Sequence, residues 1–68
     1  MSDLDNQFTY HPPKDQAQID LYQEIRECGK TFAEFVSANV PHSQERSLAI
    51  TKIEEAVMWA NAGVARHG

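Results

Sequence analysis

The chain has 68 residues with six Lys/Arg against ten Asp/Glu, giving a formal charge of -4 with 41% hydrophobic residues. That leaves room for one small domain, too short to bury a comfortable core alone. The acidity excludes coating of long nucleic acids, which scales with the phosphates that Lys and Arg neutralise, but it allows a small anionic ligand served by a few local cations.

Two common staples are also excluded. Cys28 is the only cysteine, so there is no disulfide within the chain. Cys28, His11, His42 and His67 lack the paired spacing of a structural zinc site. Self-association is the stabilising device that remains. No metal or cofactor is expected. No apolar run approaches the roughly 20 residues of a membrane span, and the acidic start Met-Ser-Asp-Leu-Asp-Asn is unlike a signal peptide. A free thiol fits a reducing cytoplasm.

In chain order, residues 1–13 read as an N-terminal arm. It lacks helical periodicity and carries Phe8-Thr9-Tyr10-His11-Pro12-Pro13, whose prolines hold it extended. Residues 14–68 read as a helical hairpin domain. Asp15 is a good N-cap for the first helix, and Gln18 completes a capping-box pattern. Ile19, Tyr22, Ile25, Phe32, Phe35 and Val36 recur at helical spacing. A second stripe through Leu21, Ile25, Cys28, Phe32 and Phe35 widens the apolar band beyond what one partner helix needs. Gly29 sits mid-helix at a cost of about 1 kcal/mol against Ala, a cost often accepted where a neighbour must come close.

The first helix is predicted to stop near Asn39, ahead of Pro41. Ser43 is the N-cap of a second helix, with Glu45 in its first turn. Ile50, Ile53, Val57, Ala60 and Val64 keep strict helical spacing along it, and Arg66 and His67 suit its C-terminus, His67 being expected to fray. The fold class is therefore all-α: an antiparallel two-helix hairpin with an N-terminal arm, assembling into a compact homo-oligomer. Pairing about the loop sets Tyr22 level with Asn61 and Arg26 level with Val57, and brings the arm to the end that carries Trp59, Asn61 and Arg66.

The residues offer little for catalysis. There is no phosphate loop, nucleophile elbow or metal-spaced His pair. Glu54 and Glu55 are adjacent on a helix and point about 100° apart. Cys28 on the apolar band reads as a buried, inert thiol. Several residues are open to a binding role. Tyr10, with His11 and Pro12, either tacks the arm to the hairpin or offers a stiffened stacking face for a base. Arg26 and Lys30, four apart, are either solvated cations or a phosphate clamp. Trp59 is an oligomer contact or a pocket wall. Asn61 and Arg66 are surface groups or ligands for a base edge and a phosphate.

One stretch is more specific. Glu45-Arg46-Ser47-Leu48-Ala49-Ile50-Thr51-Lys52-Ile53-Glu54-Glu55-Ala56-Val57-Met58-Trp59-Ala60-Asn61-Ala62, flanked by Pro41-His42-Ser43-Gln44 and Gly63-Val64-Ala65-Arg66, together with Thr9-Tyr10-His11-Pro12-Pro13, resembles a family of small bacteriophage proteins. These are the anti-CBASS cyclic-oligonucleotide sponges, whose hairpin is shared with phage sponges that counter Thoeris defence. Gln44 stands where the family more often has Arg.

The resemblance implies a homohexamer that holds cyclic dinucleotides (cGAMP-like) and cyclic trinucleotides without cleaving them, in the cytoplasm of the infected host. It further implies that Tyr10 stacks on a dinucleotide base and that Arg26 lies near its phosphates. The segment from Trp59 to Arg66 resembles the lining of a trinucleotide pocket, with Arg66 on a phosphate. The alternatives are a sponge for cyclic ADP-ribose isomers, or a structural or protein-inhibiting helical oligomer.

Overall fold

A computed structural model describes residues 10–68; the start of the arm, including Phe8 and Thr9, lies outside the described residues. Two helices of 24 residues each follow one another, α1 (Gln16–Asn39) and α2 (Gln44–His67). They pack against each other as an antiparallel hairpin, and the described residues contain no strand.

The ends of both helices are set by local chemistry. Asp15 is extended and its carboxylate accepts the Gln18 N–H at 2.9 Å, the N-cap bond that stabilises a first turn by about 1 kcal/mol. At the other end of α1, Asn39 Nδ2 donates to the Phe35 carbonyl at 2.8 Å and Val40 N–H closes onto Val36. Pro41 then forbids a further turn. Ser43 Oγ accepts the Arg46 N–H at 3.1 Å and itself donates to the Pro41 carbonyl, so one hydroxyl both caps α2 and fixes the loop. Arg46 reaches back across the loop to the Ser37 carbonyl at 3.0 Å. α2 does not fray where expected: it runs through His67, closed by Gly68 N–H on the Val64 carbonyl at 2.8 Å.

At Gly29 the two helices approach closely. A Cβ built there would overlap Val57 Cγ2 and sit 3.9 Å from Ile53 Cγ2. The cost of a mid-helix glycine is thus met by close packing of α2 against bare backbone.

The core is nonetheless thin. Val36 and Ile53 are the buried apolar residues and Gln18 is the buried polar one. Only the narrow seam between the helices is covered. Leu21, Phe32 and Phe35 of the wide apolar band face solvent in the single chain. Cys28 is likewise exposed, which corrects the expectation of a buried thiol: it lies on the band but to one side of the seam. One broad side of the hairpin is accordingly an apolar groove lined by Ile25, Cys28, Phe32, Ala49, Ala56 and Ala60, with Lys52 among them. No described helix is long and apolar enough to cross a membrane.

Candidate functional site

Six cations serve the whole chain, and the fold divides them. Lys14 Nζ donates to the Gly68 carbonyl, Arg46 bonds Ser37, and Lys52 pairs with Glu55 at 3.2 Å. Arg26, Lys30 and Arg66 make no hydrogen bond or ion pair among the described residues. The three that sequence singles out for phosphate are therefore the three whose charge the fold does not occupy.

Their placement differs. Arg26 and Lys30 lie on the side of the hairpin opposite the apolar groove. There they flank a second, smaller groove with Ile50, Glu54 and Val57. Arg26 and Val57 share that groove, in agreement with the predicted level pairing. The neighbouring carboxylates Glu54 and Glu55 part company, as helical geometry requires: Glu54 joins this groove and Glu55 turns to Lys52 on its own helix. Arg66 sits at the far end of α2, half-buried.

Tyr10 is 81% exposed at the base of the arm, followed by half-buried His11 and exposed Pro12. These residues lie outside either helix and lead through Pro13 to Lys14, which anchors them. Lys14 N–H donates to Gln18 Oε1 at 2.8 Å, and Gln18 Nε2 donates to the Val64 carbonyl at 3.4 Å. The arm is thus brought to the end of α2 that carries Arg66, as pairing about the loop predicts.

Not all the candidates converge. Trp59 is 58% exposed, and Trp59 and Arg66, seven residues apart, share one side of α2. Asn61, two residues from Trp59, points about 200° away from it. Its Oδ1 is enclosed and has no hydrogen-bond partner. Arg26 lies eight residues along α1 from Gln18, roughly 12 Å down the hairpin from the arm's anchor. The two grooves described include Arg26 and Lys30 but not Tyr10, Trp59, Asn61 or Arg66. One protomer therefore presents the pieces of a site on different faces rather than a closed pocket.

Sequence alone does not disclose the roles of Gln18, Lys14 and Val64. The capping-box pattern at Gln18 is real in its backbone half, but the side chain serves the arm and the opposite helix instead of its own N-cap. The available signal was an amide-bearing residue on the stripe that faces the partner helix.

Comparison with known proteins decides the family. The model of the Acb2/Tad1 hairpin domain matches residues 2–65, nearly the whole chain. The chain belongs to the Acb2/Tad1 hairpin family. Membership implies a phage sponge for cyclic nucleotide signals, a binding role in immune evasion. No curated protein and no solved structure gives a significant match.

Proposed function

We propose that this Acb2/Tad1 hairpin protein sequesters the cyclic di- and trinucleotide messengers of CBASS defence, holding them intact so that their effectors stay inactive. The observation that carries the reading is the division of its cations. In a chain of net charge -4, Arg26, Lys30 and Arg66 are left without partners among the described residues, and Tyr10 is exposed rather than packed. A cyclic oligonucleotide offers phosphates to the first three and base faces to the last.

The pockets form between protomers of a homo-oligomer, a hexamer by analogy with the family. This is supported by the scatter of the candidates over several faces and by Leu21, Phe32 and Phe35, large apolar side chains left exposed on α1. Tyr10, His11, Pro12, Arg26 and Lys30 then take the dinucleotide, and Trp59, Asn61 and Arg66 the trinucleotide. Release, not turnover, sets the capacity of such a protein.

Titration calorimetry with a cyclic dinucleotide, a cyclic trinucleotide and cyclic ADP-ribose isomers, read beside particle mass by light scattering, tests the proposal. Heat is expected from the first two, with ligand recovered unchanged after heat denaturation. Binding of the ADP-ribose isomers alone would move the protein to the Thoeris branch of its family. Degraded ligand would make it an enzyme.

A further inference from the structure

Gln18 is the buried polar residue of the hairpin, 9% exposed on the seam between the helices. Capping does not explain it. The Asp15 carboxylate uses only the Gln18 main-chain N–H, and the side-chain amide is committed elsewhere. Its oxygen accepts Lys14 N–H at 2.8 Å and its nitrogen donates to the Val64 carbonyl at 3.4 Å. Both halves of the amide are needed for this. A glutamate, the usual alternative in a capping box, has no donor for Val64. Lys14 adds a second tie by donating from Nζ to the Gly68 carbonyl.

What the amide holds is the root of the arm. Between Lys14 and Tyr10 stand Pro12 and Pro13, each with a fixed φ and an extended conformation that advances about 3.1 Å per residue. The two prolines stiffen the arm, so the placing of its root bears on that of its tip, with half-buried His11, itself in contact, between the two. We infer that Gln18 is the positioning residue of the arm: by clamping Lys14 to α2 it sets where Tyr10 stands and so sets the affinity for the base that Tyr10 stacks on. The affinity part rests on the proposed stacking role of Tyr10; the anchoring part does not.

The bonds themselves separate this role from a purely structural one. The Val64 carbonyl also accepts the Gly68 N–H at 2.8 Å, and Lys14 is exposed. Gln18→Leu therefore strands no buried partner, keeps an apolar side chain of similar size on the seam, and leaves melting temperature and oligomer mass near wild type. Lys14→Pro removes the N–H donor without touching the seam and serves where Gln18→Leu folds poorly.

The test is backbone ¹⁵N relaxation on the full chain, followed by calorimetry. In the wild type the Tyr10 amide is expected to have an order parameter near about 0.85, falling in Gln18→Leu, where the Lys14 Nζ tie to Gly68 remains, and falling further in Lys14→Pro, which removes both ties, with the helices unchanged. A cyclic dinucleotide should bind both variants roughly tenfold more weakly, the cost of ordering about one backbone residue, while a cyclic trinucleotide binds as before. Unchanged order at Tyr10 in both variants overturns the inference, as does an equal loss for both ligands. If the wild type binds no cyclic dinucleotide, the stacking reading fails, and the order parameters still decide the anchor.

Discussion

Gly29 and Val57 meet so closely that a single added methyl on Gly29 would overlap the Val57 Cγ2. Gly29→Ala therefore sets two effects against each other. Helix propensity gains about 1 kcal/mol, and overpacking at the seam costs about 1–3 kcal/mol. The expected net is a loss of stability of up to about 2 kcal/mol, read by chemical denaturation. Gly29→Ala with Val57→Ala should recover most of it, because the second change makes the room that the first requires. A stabilised Gly29→Ala single variant would mean that the helices are not held this close.

Tyr10 is 81% exposed and stands four residues ahead of Lys14, whose N–H is tied to Gln18. Tyr10→Ala is expected to weaken a cyclic dinucleotide by the worth of one base stack, about 1–3 kcal/mol or roughly 5- to 150-fold, with oligomer mass unchanged by light scattering. Dissociation on this substitution would assign Tyr10 to an interface instead.

Arg66→Ala removes one of the three cations without a partner among the described residues. A cyclic trinucleotide should lose affinity, and a dinucleotide should not. The loss should shrink as salt is raised in the wild-type comparison, because screening removes the same attraction that the substitution does. Calorimetry at two ionic strengths reads both effects.

Phe32 and Phe35 are 58% and 66% exposed on the apolar side of α1. Phe32→Asp should lower the particle mass by light scattering, because a carboxylate buried against a second protomer has no partner there. Unchanged mass with full helicity would leave that face outside the assembly.

The caps and helix ends were legible because each is a local signal. Asp15, Ser43, Asn39 and Pro41 act on backbone within four residues of themselves, and the structure uses each where its chemistry points. The close approach at Gly29 was legible for a related reason: a costly residue mid-helix needs a compensating contact. Gln18 was only half legible. Its partners Lys14 and Val64 straddle the hairpin, and a capping pattern says nothing about a side chain that turns to the opposite helix. Cys28 was misjudged because periodicity identifies an apolar band but not how much of it one neighbour covers. Trp59 and Asn61 lie close in sequence, and their grouping survives only if different protomers present the faces they occupy.

The thinness of the seam has a consequence for dose. With Val36 and Ile53 as the buried apolar residues of a described protomer, the proposed assembly carries the stability that a single copy lacks. Folding then depends on concentration, and a lone protomer is open to proteolysis. Messenger-binding capacity should rise more steeply than copy number, staying low until enough chains meet and increasing sharply thereafter. For an infecting phage that is a threshold set by how fast the protein is made, and it is written in two residues of core.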